Sequence, residues 1–267
     1  MGRTVAAVAA GLLVVGGTLA MPTADASPGW WTPPAKVASW QWQLDGTIDT
    51  SVQAAVFDVD GFETSAATVA ALHAKGAHVI CYLDVGGAEP GRPDYSQFPK
   101  AAIGRKEVGW PEYYLDTRDA TVRSVEAARV AMCASKGFDA VETDLDDTYL
   151  EGARATGFPL TQATGLDYLS FLAATVHANG LALFAKNGVD SAFVARAAQV
   201  ADGEINEQCV QYSECPVLAP FGRAGKPVLH VEYSLTLAKT CKPDAVYPNF
   251  TSMLKRVALG AWRQVCP

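Results

Sequence analysis

Residues 119–147 read DATVRSVEAARVAMCASKGFDAVETDLDD. An alanine-rich helical run, Asp119 to Gly137, stops at a glycine, the residue that most readily takes the left-handed conformation ending a helix. A short apolar strand follows, Ala140 to Asp144, and acids crowd its end: Glu142, Asp144, Asp146 and Asp147. Helix, glycine, strand and then polar chemistry is the repeat expected of a parallel sheet with helical crossovers.

The same order recurs on both sides. Apolar runs of strand length lie at Ser39 to Leu44, Ala54 to Asp60, Ala77 to Val85, Ala140 to Asp144, Leu181 to Asn187, Gly203 to Glu207, Pro227 to Tyr233 and Phe250 to Leu254. Helical patterns lie at Ser65 to Lys75, Asp119 to Gly137, Thr164 to Asn179 and Ser191 to Val200. Eight such units predict an α/β fold, a single-domain (β/α)8 TIM-type barrel over residues 39–267. The alternative is an open, doubly wound sheet, but no Gly-x-Gly-x-x-Gly follows the first strand to support a dinucleotide site. The stretch Gly86 to Arg118 reads as a long loop on the catalytic face.

The N-terminus carries Arg3, an apolar small-residue run from Val5 to Ala20, and then Ala24-Asp25-Ala26. That is the pattern of a signal peptide over residues 1–26 with a small-x-small cleavage site, and the run is too short and glycine-rich for a spanning helix. Residues 27–38, containing Trp30-Trp31-Thr32-Pro33-Pro34, read as a stiff linker. An even set of six cysteines in an exported chain predicts disulfides. Cys209 with Cys215 would close a short loop, and Cys81 with Cys133 and Cys241 with Cys266 would join neighbouring barrel units, although spacing alone leaves connectivity open. The formal charge of −7 disfavours nucleic acid and anionic membranes as partners and favours neutral or cationic ones. A secreted monomer, free of the membrane once the leader is removed, is the expectation.

In a barrel the reacting groups sit at the C-terminal strand ends. Here the second strand ends Asp58-Val59-Asp60, the third Tyr82-Leu83-Asp84 with Glu89 and Arg92 beyond, and the fourth Glu142-Thr143-Asp144 followed by Asp146, Asp147 and Tyr149. The fifth ends Lys186-Asn187, the sixth Glu204-Ile205-Asn206-Glu207 and the seventh His230-Val231-Glu232-Tyr233. A lone aspartate is usually a solvated loop charge or a helix cap, but six strands ending this way weaken that reading. Crowded acids also raise one another's pKa, as a general acid requires. Asp144 and Glu207 stand out as the ends of short, different strands that could face each other across the mouth, and glycosidic cleavage needs such a carboxylate pair. Glu204 belongs to the buried start of its strand or to the helix side. Trp40, Trp42, Tyr82, Tyr149 and Tyr233 are candidate sugar-stacking walls, with at least one tryptophan more plausibly packed against the helices.

Other chemistries find no pattern. Asp144, Asp146 and Asp147 lack the ligand alternation and glycine of a calcium loop, and four histidines include no His-x-x-x-His or His-x-His spacing. No Gly-x-Ser-x-Gly elbow is present. Neither a metal nor a cofactor is expected. His73 and His177 read as ordinary helix residues, and His78 and His230 as satisfied core histidines.

Together, Trp42-Gln43-Leu44-Asp45-Gly46, Asp58-Val59-Asp60, Cys81-Tyr82, Glu89 with Arg92 and Asp94, Val141-Glu142-Thr143-Asp144 with Asp147 and Tyr149, Lys186-Asn187, Glu207-Gln208-Cys209, and Lys226-Pro227-Val228 with Glu232-Tyr233 form an ordered series. The series resembles the endo-α-1,4-polygalactosaminidase family, glycoside hydrolase family 114, from about Trp42 to Cys266. The resemblance implies a barrel that cleaves internal α-1,4 linkages in galactosamine-containing polysaccharide, with Asp144 and Glu207 as the catalytic pair. It also implies that Asp58, Asp60, Tyr82, Glu89, Arg92, Asp147, Lys186 and Glu232 line the cleft. One departure is Leu145, where that family usually carries Asn, beside the insertion-like stretch Leu150 to Thr156. A carbohydrate-binding protein that has lost turnover is the alternative this departure raises.

Overall fold

The computed structural model describes residues 1–2 and 29–267, so the expected leader falls outside the described residues. All eight expected strands form, and they lie parallel and in chain order: β1 Trp40–Gln43, β2 Val56–Asp60, β3 His78–Asp84, β4 Ala140–Asp144, β5 Ala182–Lys186, β6 Gly203–Glu207, β7 Val228–Glu232 and β8 Phe250–Leu254. The crossover helices are α1 Ala66–His73, α2 Ala120–Lys136, α3 Gln162–Ala178 and α4 Ser191–Val200. Their starts are set by Ser65, Asp119, Thr161 and Asp190, whose side chains accept from the first-turn N–H groups. Gly137 ends α2 at φ 87°, as its position after the last helical residue demands. The fold is the (β/α)8 barrel that the strand–helix repeat predicts.

Two-residue periodicity sorts the strand residues into two cores. Trp40, Trp42, Val56, Ile80, Ala140, Phe184, Ile205, Leu229, Val231 and Met253 fill the barrel interior. Phe57, Val59, Val79, Cys81, Val141, Leu183 and Val228 point outward onto Val69, Leu72, Val130, Tyr168 and Leu172 of the helices. Both tryptophans of β1 are 1% exposed and inside the barrel, so neither forms a sugar wall and neither packs against helices.

Closure is made by the C-terminus. Among the described residues no ladder joins β8 to β1. Instead the Trp40 indole donates to the Thr251 carbonyl at 3.0 Å, Leu44 N–H to Leu259 at 3.0 Å, Gln41 to the Ala261 carbonyl at 2.7 Å, and Arg263 to the Trp40 carbonyl. A short antiparallel strand, β9 Gln264–Val265, lies along β8. Cys241–Cys266 holds this tail in place, and Cys81–Cys133 and Cys209–Cys215 complete the expected disulfides.

Two sequence expectations need correction. Gly86 to Arg118 is no structureless loop: Gly87–Ala88, Ile103–Lys106 and Tyr113–Leu115 form an antiparallel sheet over a small core of Ala88, Phe98, Ala102, Leu115, Val122 and Val125. Strands of two to four residues are too short for periodicity to register. His78 is half exposed, paired with Asp139 at 3.4 Å and stacked on Trp31 at 4.2 Å, whereas His230 is fully buried as expected. The stretch before β1 packs against the barrel: Trp30 stacks on His177 at 4.0 Å, Trp31 on His78, and Val37 is buried with the barrel interior.

Candidate active site

Asp144, Lys186 and Glu207 are the last residues of three adjacent strands, β4, β5 and β6, and each falls on the inward parity of its strand. They therefore converge. Lys186 Nζ lies 2.9 Å from Asp144 Oδ1, 3.2 Å from Glu207 Oε2 and 3.1 Å from Glu142 Oε1. The two strand-end carboxylates do not face each other across the mouth. They are side by side with one strand and one ammonium between them.

The residue after each of these three side chains is left-handed: Leu145 at φ 56°, Asn187 at 52° and Gln208 at 61°. Each such step turns the chain sharply off the strand and leaves the preceding side chain pointing into the mouth. Asn187 suits this conformation, and its side chain also accepts from Glu207 N–H at 2.9 Å and donates to Glu207 Oε2 at 3.4 Å. Leucine at 145 costs about 1 kcal/mol more here than asparagine, whose short polar side chain tolerates the region. Gly86 permits the turn, since a Cβ there would stand 2.1 Å from the Leu145 carbonyl oxygen.

Further donors fix both acids. The Tyr82 hydroxyl donates to Asp144 Oδ2 at 2.7 Å and the Tyr233 hydroxyl to Glu207 Oε1. Burial, reinforced by these carboxylates, pushes both tyrosine pKa values up and keeps them donors. Below, the Trp42 indole donates to Glu142 Oε2 at 3.1 Å and its ring faces Lys186 Nζ at 4.8 Å. Burial by itself would discharge Lys186, but Asp144, Glu207 and Glu142 outweigh it and hold the ammonium charged. Glu142 is pushed up to about 7 by burial, with Lys186 opposing. Asp58, fully buried, is pushed well above the carboxylate range by burial and then by Glu142.

The residues expected to line the cleft divide into groups. Tyr82, Lys186 and Tyr233 touch the two strand-end acids, and Asp58 lies in the floor. Arg92 binds Asp60 through two nitrogens at 2.6 and 3.1 Å and Glu89 at 2.7 Å, a compensated cluster at the rim with Asp60 buried beneath. Glu232 is corrected: it falls on the outward parity of β7, is fully buried, and accepts from Val210 and Gln211 N–H at 2.8 and 3.2 Å and bonds His230 at 3.1 Å. It braces the loop after β6 and does not line the cleft. Tyr149 is also displaced; its ring presses on Gly165 of α3, where a Cβ would come within 2.2 Å, and tilts against Phe193. Asp147 accepts from Gly188 N–H at 3.0 Å to the side of the mouth. Glu204 points to the helix side, as expected, near Asp146 and Asp147. Glu142 was missed as a site residue, although its parity with Asp144 was readable. Asn187 carried no signal beyond its place after Lys186. Among the described residues one trio has metal-type donors within reach of one another, Cys209, Cys215 and His230, and its two sulfurs are already joined.

Buried acids dominate the pH response. Burial first of all pushes Glu142 and Asp147 up to about 7 and Glu126 up to about 8, and carries Asp58, Asp84, Asp146 and Glu204 well above their usual range. A carboxyl whose folded pKa exceeds its unfolded value of about 4 binds its proton more tightly when folded, so stability is lost as pH climbs between the two values. The thermal midpoint is expected to fall by several degrees from pH 5 to pH 8. A midpoint that rises over that range in calorimetry would contradict the protonated state of these acids.

With this geometry in place, the chain can be compared with known proteins. The model of glycoside-hydrolase family GH114 matches residues 20–267. Among solved structures, Aspergillus fumigatus Ega3 in complex with galactosamine is 32% identical at a TM-score of 0.82, with 91% of this chain and 100% of that one covered. The glycoside hydrolase domain of PelA from Pseudomonas aeruginosa shares the fold at 14% identity and a TM-score of 0.65, covering 86% of this chain and 98% of that one. No curated protein sequence matches.

Proposed function

The chain belongs to glycoside hydrolase family GH114, and from that premise we propose that it is an exported, endo-acting hydrolase of α-1,4-linked galactosamine-containing polysaccharide, with Asp144 as nucleophile and Glu207 as general acid and base. The observation that carries the reading is the single Lys186 ammonium held between the two carboxylates. Their nearest oxygens can stand no farther apart than the 2.9 and 3.2 Å contacts laid end to end. Two carboxylates gathered on one ammonium suit the closer arrangement, roughly 5–5.5 Å between carboxyl groups, in which one acid attacks directly and configuration is retained.

Asp144 is assigned the attack on the anomeric carbon because Lys186 stands closer to it, at 2.9 Å against 3.2 Å for Glu207, while both acids accept from a tyrosine hydroxyl. Glu207 gives its proton to the departing glycosidic oxygen, and a glycosyl ester forms on Asp144. Glu207 then takes a proton from water, whose oxygen displaces the ester and regenerates both groups. Lys186 stays charged throughout and balances the acid that is ionised at each stage. A polymer bearing ammonium groups complements the mouth, where Glu107 lies within electrostatic reach of Asp144, and Glu89 within reach of Asp84. Ega3 was solved with galactosamine bound, which supports the same sugar class here. Three disulfides and the N-terminal leader pattern support export, and no helix among the described residues is long and apolar enough to cross a membrane.

Incubation with an α-1,4-galactosamine polymer is expected to release new reducing ends, with the α anomer appearing first by NMR. A β product would overturn retention, and a monomer-only product series would overturn endo action. Leu145 raised the reading of a binding-only protein, but Asp144 keeps its bonds to Tyr82 and Lys186. Polymer bound without new reducing ends is the outcome that would restore it.

A further inference from the structure

The hairpin inserted after β3, strands Ile103–Lys106 and Tyr113–Leu115, supplies neither of the two strand-end acids nor Lys186. Its return strand is tied to the chain leaving β3: Gly87 pairs with Tyr114, Ala88 with Tyr113, and Leu115 N–H donates to the Gly86 carbonyl at 2.8 Å. Its outgoing strand packs on the segment after β4, since a Cβ on Gly104 would stand 2.1 Å from the Thr156 carbonyl. Asp84, at the end of β3, is the register partner of Asp144. The hairpin therefore stands on the rim between the third and fourth strands, on the Asp144 side of the mouth.

Its tip is closed by Glu107 N–H donating to the Glu112 carbonyl at 2.9 Å, and beyond that bond Val108 is 95% and Trp110 49% exposed. Trp30, Trp31, Trp40, Trp42 and Trp262 each stack with another side chain. Among the described residues, Trp110 is the tryptophan that does not. The carboxyls flanking it feel Asp144: burial, then Glu107 and Asp144, push Glu112 up to about 9. An exposed, unstacked indole three residues after one carboxyl and two before another, on a rim hairpin, is the chemistry that recognises an amino sugar, whose C–H face is apolar and whose ammonium is cationic.

We propose that Trp110 is a distal sugar platform for the same polymer: its indole stacks on an amino-sugar ring beyond the cleft, and Glu107 and Glu112 take the ring's ammonium and hydroxyl groups. The proposal rests on the galactosamine-polymer reading. Trp110 precedes Tyr113 by three residues and lies beyond the Glu107–Glu112 bond that closes the hairpin, so a chain reaching it runs out of the mouth and over the rim. Trp110→Ala is expected to raise KM about tenfold for long polymer and less than about twofold for the shortest oligomer cleaved, with kcat nearly constant. Trp110→Phe should restore most of the polymer affinity, and a far-ultraviolet spectrum checks that both fold. An equal loss on both substrates, or none on the polymer, overturns the platform while wild-type cleavage leaves the parent reading standing. No cleavage by the wild type sinks both.

Discussion

Asp144→Asn and Glu207→Gln are each expected to fold as the wild type does and to lose at least about a hundredfold in kcat on galactosamine polymer, the usual minimum for removing an acid, base or nucleophile. Both substitutions keep shape and hydrogen-bonding capacity, so the Tyr82 and Tyr233 hydroxyls retain partners and folding is spared. Their losses should differ in kind. A substrate with an activated leaving group needs no proton from the enzyme in the first step, so it should recover much of the first-step rate in Glu207→Gln, seen as a burst of leaving group. It should recover little in Asp144→Asn, where the attacking oxygen itself is gone. Recovery in the aspartate variant and none in the glutamate variant would exchange the two roles. Near-normal activity in either folded variant would remove that residue from the mechanism.

Lys186→Met carries the second large effect, on stability as well as rate. Lys186 is 2% exposed and supplies the positive charge that Glu142, Asp144 and Glu207 share at 2.9 to 3.2 Å. Removing one partner of a buried ion pair costs about 3–5 kcal/mol, because the remaining charge is left uncompensated in a poor solvent. Here three acids are left, so protonation is their relief. Glu142, now held at about 7 against the pull of burial, should titrate higher without the ammonium. The sign follows: at low pH the acids of the variant are neutral and the penalty is small, and as pH rises they must ionise unpaired. The gap in thermal midpoint between wild type and Lys186→Met should widen from pH 5 to pH 8, with kcat down at least about a hundredfold at neutral pH. A constant or narrowing gap would mean that Lys186 does not act as the counter-charge.

Much of this molecule was legible before any coordinate. Eight strands and four helices were readable because each strand is a short apolar run and the helical runs stop at Gly76, Gly137 and Asn179-Gly180, whereas the N-caps Thr161 and Asp190 emerged only in the structure. The three disulfides match the pairings that the order of barrel units suggested, although spacing alone left connectivity open. Errors arose where a local pattern was too short or ambiguous. The rim hairpin is built from strands of two to four residues, and its tip tryptophan carries no periodic signal. The family resemblance implied Glu232 in the cleft, although its alternation with Val231 and Tyr233 already placed it on the other face. Trp40 and Trp42 looked like sugar walls, and the barrel interior claimed both.

By itself, the sequence determined which residues end which strands and on which face each side chain emerges, because strand periodicity and capping act over a few neighbouring residues. Only the tertiary structure decided that Asp144 and Glu207 flank a shared Lys186 instead of facing each other across the mouth. That separation depends on the register of β4 on β5 and β5 on β6, where Thr143 pairs with Ala185 and Lys186 with Ile205. Such pairings join segments far apart in the chain through backbone hydrogen bonds that any residue can make, so no local pattern records them.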